Sequence, residues 1–138
     1  MKDEKILLKL DEMEHYLIEL ENMLPTSIDD YVENLPVKRG CEKTVELAIE
    51  AVISILSMLI AARRLGVPTS EESIIQIAEK SKVLSSKVIK RISEMKGFRN
   101  ILVHKYGEIE DERVFEYLNN ELGDFTDFKQ EILKFLKK

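Results

Sequence analysis

Arg99 and His104 are the two residues of this chain best suited to act on a phosphodiester, and they share the stretch Gly97-Phe98-Arg99-Asn100-Ile101-Leu102-Val103-His104-Lys105-Tyr106. A guanidinium grips a phosphate with two hydrogen bonds and stays charged at any biological pH. An imidazole takes or gives a proton near neutrality. Together they form a minimal set for phosphodiester cleavage without a metal. Tyr106 adds a hydroxyl at the edge of such a site. The other histidine, His15, falls in the first helix with no partner in sight and reads as a surface residue.

The pair needs a scaffold. Ser86 to Val103 reads as a helix, with Val88, Ile92, Met95 and Val103 at i, i+3, i+4 spacing on one arc. At about 100° per residue Arg99 falls in the middle of that arc. A charge facing a core costs several kcal/mol unless it is paired or wetted. Arg99 therefore meets a buried carboxylate, with Glu50 or Glu46 as candidates, or lines a cleft. The two are compatible, because a carboxylate behind an arginine can orient it. His104 lies about 140° round a straight helix from Arg99, so spacing alone does not bring them together. Convergence requires the arginine's reach, an unwinding between Gly97 and Gly107, or a second copy of the helix.

The rest of the chain also reads as helix. Ile6 to Leu24 carries Ile6, Leu10, Met13, Leu17, Leu20 and Leu24 on one stripe and stops at Pro25. Ser27 to Pro36 reads as a short helical turn or loop. Val37 to Leu65 reads as a long helix, apolar on most of its circumference, with a narrow polar strip of Glu46, Glu50, Ser54 and Ser57. A helix so apolar belongs at the centre of a bundle or at a subunit interface. Gly66-Val67-Pro68 ends it, and Thr69-x-x-Glu72 looks like a capping box opening a helix to Lys80. Ser85 is a suitable cap for the motif helix. Short helices follow over Glu110–Asn120 and Asp124–Lys137. No alternating strand pattern appears. The expected fold is all-α, an antiparallel helical bundle with a long central helix and short C-terminal helices.

At 138 residues the chain fits one domain, residues 1–138, able to bury its own core. No wholly apolar run reaches the roughly 18 residues of a membrane span, and Met1-Lys2-Asp3-Glu4-Lys5 lacks a signal-peptide core. A lone cysteine, Cys41, has no intrachain partner; it reads as a packing residue and fits a reducing cytoplasm. The net charge of −5 argues against indiscriminate coating of nucleic acid. It conceals an asymmetry. From Lys80 to Lys105, eight Lys or Arg face one acid, Glu94, while the remaining residues carry 13 basic and 25 acidic side chains. The basic stretch, either a solvated lysine face or an electrostatic approach for RNA, ends in the Arg99/His104 motif. No phosphate-binding glycine loop and no zinc-spaced Cys/His cluster is present.

Arg99-Asn100-x-x-x-His104-x-Tyr106, preceded by Met95-Lys96-Gly97-Phe98, resembles the HEPN superfamily and, within it, the HepT-like toxin branch. The resemblance extends through Lys38-Arg39-Gly40-Cys41-Glu42, Ala48-Ile49-Glu50-Ala51, Gly66-Val67-Pro68-Thr69-Ser70 and Ile109-Glu110-Asp111-Glu112. It implies a HEPN-like homodimer and a metal-independent endoribonuclease toxin of a type VII-like toxin–antitoxin pair, with no cofactor. RNA is the implied substrate, attacked by its own 2′-hydroxyl. Arg99 and His104 are the implied catalytic residues, with Asn100 and Glu50 as auxiliary polar groups. Tyr106 matches the tyrosine that accepts AMP from a partner nucleotidyltransferase antitoxin. The alternative is a non-catalytic HEPN binding module that docks to, or presents a substrate to, a nucleotidyltransferase.

Overall fold

In the computed structural model, which describes residues 3–104 and 110–138, the longest helix, α3 (Leu35–Arg63), lies at the centre. Its composition is the reason. Cys41, Val45, Ile49, Val52, Leu56, Leu59 and Ile60 cover several faces and are all fully buried. Each large side chain removed from water contributes about 1.5–3 kcal/mol, which is the force that draws the other helices around α3. They are α1 (Glu4–Met23), α2 (Ile28–Glu33), α4 (Glu71–Lys80), α5 (Ser86–His104), α6 (Asp111–Asn120) and α7 (Gly123–Leu136). No strand occurs among the described residues, so the all-α expectation holds.

Neighbouring helices run antiparallel, and named contacts fix the direction. Arg63 at the end of α3 holds Asp3 at the start of α1 through two bonds of 2.9 and 3.1 Å. At the other end, Gly40 of α3 meets Met23 of α1; a Cβ at Gly40 would lie 3.1 Å from the Met23 sulfur, a tight contact that the glycine avoids. Glu131 of α7 accepts bonds from the backbone N–H and hydroxyl of Ser85, at 2.6 and 2.8 Å, just ahead of α5. Asp124, at the opposite end of α7, lies beside Arg91.

Several boundaries differ from the sequence reading. Pro36 does not end the preceding segment but sits in the first turn of α3, where a missing N–H costs nothing; Asn34 caps that turn by accepting from Val37 N–H at 3.2 Å. Before it, Ser27 caps the short helix α2. The capping box of α4 is formed by Ser70 and Ser73 rather than Thr69 and Glu72, because the Ser73 hydroxyl reaches the backbone N–H groups of Thr69 and Ser70 at 2.8 and 2.9 Å. Ser85 caps α5 as expected, accepting from Val88 N–H.

Two inferences from the apolar character of α3 change. By length and hydropathy α3 is sufficient to cross a membrane, although no uninterrupted apolar run marks it; in this fold it forms the core. The bundle also covers most of the helix by itself: Ala51, Ile53 and Ile55 are buried along with the residues above, while Leu35 in its first turn stays exposed. The excess apolar arc that pointed to a subunit interface on α3 is therefore absorbed within one chain. Large apolar residues remain exposed elsewhere, on α1 (Leu7, Leu8, Ile18) and on α5 (Ile101, Val103) among others.

Tyr31 of α2 is fully buried, tilted against Phe115 of α6 with ring centroids 5.3 Å apart. Among the described residues its hydroxyl has no hydrogen-bond partner, and burial pushes the phenol well above its ordinary range. Tyr31→Phe should leave the urea midpoint unchanged or raise it, because an orphaned polar group is removed and the ring is kept. Tyr31→Ala should cost about 3–5 kcal/mol. A loss above about 1 kcal/mol in the Phe variant would mean that the hydroxyl is satisfied in solution.

Candidate active site

The buried stripe of α5 comprises Val88, Ile92, Met95 and Leu102, with Ile89 at its margin. Leu102, not Val103, continues the stripe; Val103 is 43% exposed. Seven residues span nearly two full turns, which returns Leu102 to the azimuth of Met95, whereas Val103 is carried to the edge. Arg99 lies on the same stripe, one turn from each of Met95 and Leu102, and its side chain is 11% exposed. The expected conflict of a guanidinium on an apolar face is real.

Glu71, the first residue of α4, resolves it. Its two carboxylate oxygens accept from Arg99 Nη1, at 3.1 Å, and from Arg99 Nη2. The Asn100 side-chain oxygen accepts from Arg99 Nε and Nη2 at 3.2 and 3.0 Å. Glu50 and Glu46, the carboxylates suggested by sequence, are not the hydrogen-bonding partners; they act on Arg99 through space from α3. The Glu71 bond is the main cause that raises the Arg99 pKa, against the opposing effect of burial. In return, the Arg99 bond holds the Glu71 carboxyl below the ordinary carboxylate range, burial opposes this, and Lys96 adds to the lowering. Asn100 therefore has an observed part in fixing the guanidinium.

His104 is exposed, at the last residue of α5. The helix continues unbroken from Gly97 to His104, so no unwinding occurs over that part of the Gly97–Gly107 stretch. Five residues of regular helix separate Arg99 and His104 by about 7.5 Å along the axis and about 140° around it. One α5 does not direct both side chains to one point. Tyr106 and Gly107 lie outside the described residues.

The surroundings of the motif are fixed from α6. Phe98 stacks on Tyr117 with centroids 3.8 Å apart and planes 7° from parallel. Lys38 binds both oxygens of Asp111, at 2.9 and 3.0 Å, tying the first turns of α3 to the start of α6. Two grooves flank Gly97. One, about 350 Å³, runs between α4 and α5 past Gln76, Ser93, Lys96 and Asn100. The other, about 420 Å³, runs toward α6 past Arg91, Phe98, Arg113 and Tyr117. Lys80, Lys82, Lys87 and Lys90 are exposed, toward the opposite end of α5 from Arg99. Cys41 is buried and its thiol is pushed up to about 11 by burial, in keeping with a packing role. His15 is exposed, as expected, with Nδ1 2.9 Å from the Asp11 carbonyl oxygen. Among the described residues no group of three His, Cys, Asp or Glu side chains is arranged to hold a metal.

Residues 13–132 match the ribonuclease HepT-like family. The chain belongs to that family. Membership puts it among the HEPN ribonucleases, in agreement with the resemblance carried by its motif. The tRNA nuclease HepT of Aphanizomenon flos-aquae is 26% identical over 129 residues, 93% of this chain and 87% of that protein. The mRNA nuclease HepT of Shewanella oneidensis is 28% identical over 79 residues, 57% of this chain and 59% of its own length. The solved tri-AMPylated HEPN toxin of Shewanella oneidensis, in complex with MNT antitoxin, shares the fold with a TM-score of 0.86 at 19% identity, over 95% of this chain and 98% of that one.

Within this HepT-like chain, sequence reasoning overlooked Glu71. The pattern Thr69-x-x-Glu72 drew attention to the neighbouring acid as a helix cap, and 28 residues separate Glu71 from Arg99, so no linear spacing signals the pair. An acid in the first turn of a helix that packs antiparallel to the motif helix was the only available cue.

Proposed function

We propose that this protein is a metal-independent endoribonuclease and the toxin of a two-gene toxin–antitoxin pair. The observation that carries this reading is a guanidinium held on the buried side of α5, one helix end away from an exposed histidine, in a chain of the ribonuclease HepT-like family. Arg99 grips the scissile phosphate and stabilises the charge that develops on it. His104 moves the proton, accepting it from the attacking 2′-hydroxyl or returning it to the leaving 5′-oxygen; such transfer contributes about 10²–10⁴ in rate. The products are a 2′,3′-cyclic phosphate and a 5′-hydroxyl. The exposed lysines of α4 and α5 supply the electrostatic approach for RNA. The relatives named tRNA nuclease and mRNA nuclease support RNA as the substrate class. The buried, reduced Cys41 fits work in the cytoplasm.

The active unit in this reading is a homodimer. The support is the divergence of Arg99 and His104 on one regular helix, together with the exposed Ile101 and Val103 beside them. A two-fold axis close to these residues lets the motifs of two chains face one cleft. Control in this reading falls to a nucleotidyltransferase antitoxin that transfers AMP to Tyr106. The support is the spacing of Tyr106 from His104 and the likeness to an AMPylated toxin bound to its antitoxin. A phosphodiester and a nucleoside on that oxygen repel and block RNA phosphate.

His104→Ala should abolish RNA cleavage and growth arrest without loss of helical signal, and cleavage by wild-type protein should persist in EDTA. Wild-type rates from the alanine variant, or complete inhibition by EDTA, exclude the mechanism.

Light scattering at micromolar concentration should give twice the chain mass of 16.0 kDa. A monomer that cleaves RNA at full rate removes the two-chain cleft.

Tyr106→Phe should fold, cleave, and escape the antitoxin, with no AMP added by intact-mass measurement. Modification of the Phe variant to the wild-type extent, or full activity of an AMP-carrying wild type, ends this account of control.

A further inference from the structure

Arg99 is spoken for in the free protein. A guanidinium has five N–H donors. Four of the bonds they can make are already formed, two to Glu71 and two to Asn100. The single donor left is on Nη1, too few for the two-bond grip that makes arginine selective for phosphate. A carboxylate and a phosphodiester each offer a pair of oxygens to the same fork, so they compete for it.

We propose that the Glu71 carboxylate occupies the phosphate site of Arg99 in the free protein, and that RNA binds by exchanging its phosphodiester for that carboxylate. The inference rests on the reading that Arg99 is the phosphate ligand. The exchange swaps one unit of negative charge for another, so the nearly buried guanidinium is never left unpaired. The structure also indicates which partner moves. Arg99 lies on the buried stripe between Met95 and Leu102, makes two bonds to Asn100, and its side chain is only 11% exposed. The Glu71 side chain is 39% exposed and stands at the outer end of α4. On release its charge keeps two stabilising neighbours, the positive end of the α4 dipole and the Lys96 ammonium, which already acts on it. Glu71 is thus a positioning residue: it holds the guanidinium flat and oriented while the site is empty, and sets a threshold that a weakly bound anion does not pass.

The test uses full-length protein with His104→Ala, which leaves RNA uncut, with and without Glu71→Gln. Gln keeps the length and one acceptor oxygen and removes the competing charge. RNA affinity should rise on the order of tenfold, equivalent to about 1.4 kcal/mol. With His104 intact, the same substitution should lower KM more than it changes kcat. Glu71→Asp, which keeps the charge on a shorter arm, should tighten RNA binding less than Gln does, and serves if the Gln variant does not fold. Unchanged or weaker RNA affinity in both variants, or a fall in kcat at constant KM, overturns the exchange. A second measurement separates this inference from the ribonuclease reading. Titration with inorganic phosphate, followed at the Arg99 Nε–Hε resonance, should show a shift at lower concentration in Glu71→Gln than in wild type. That shift in a protein that never cuts RNA would uphold the exchange and reject the ribonuclease. Equal phosphate response in both proteins would reject the exchange, whatever the activity.

Discussion

A guanidinium on the buried face of a helix has to be answered by an anion, and much of the arrangement around the motif follows from that. Arg99 shares its stripe with Val88, Ile92, Met95 and Leu102, all buried. Left unmatched, it would oppose the packing that holds α5 in place. The answer comes from Glu71, which requires that the first turn of α4 lie beside the last turns of α5. That requirement is met by the antiparallel pairing of the two helices, the Ser70/Ser73 cap that fixes where α4 begins, and Asn100, which restrains the fork from the adjacent position. The charge is thus a cost to the fold that Glu71 offsets, and in the proposed function it is the ligand of the scissile phosphate.

The scaffold that bears this cost is α3. Its apolar circumference is covered by α1, α2, α4 and α5, and its termini are pinned by ion pairs, Arg63 with Asp3 and Lys38 with Asp111. The second pair is informative. Lys38 and Asp111 belong to two of the segments that carry the family resemblance, and the fold brings them into contact at the point where α6 begins. Together with the Phe98–Tyr117 stack it fixes α6 against the motif helix. Likeness along the chain and proximity in space therefore coincide around one end of α5.

The chain belongs to the ribonuclease HepT-like family, resembles proteins named as nucleases, and shares its fold with a HEPN toxin at only 19% identity. What persists at that distance is a helical frame. The frame needs only apolar residues at helical period, which many sequences supply. The chemistry needs specific groups, and the regular α5 keeps Arg99 and His104 on different sides of the helix. In the proposed dimer, a second copy of α5 would meet both requirements without distorting the helix.

The sequence by itself determined the helices, the central position of α3, the buried placement of Arg99 and the family. These are properties of local period and of residue type: an apolar repeat at 3.6 residues, a proline or glycine at a break, and a short motif with matching flanks. It did not determine which carboxylate meets Arg99. Glu46 and Glu50 were the nearest candidates along an apolar helix, but they face Arg99 only through space, while Glu71, at the tip of α4, reaches the fork. Nor did it show that Leu102 replaces Val103 on the buried stripe, or that the bundle covers most of α3 unaided. Those outcomes depend on how helices distant in sequence pack, and hence on rotations of a few tens of degrees and shifts of a few ångströms that no linear spacing encodes. Period and composition are written along the chain; the partner of a buried charge is decided only when two helices close on each other.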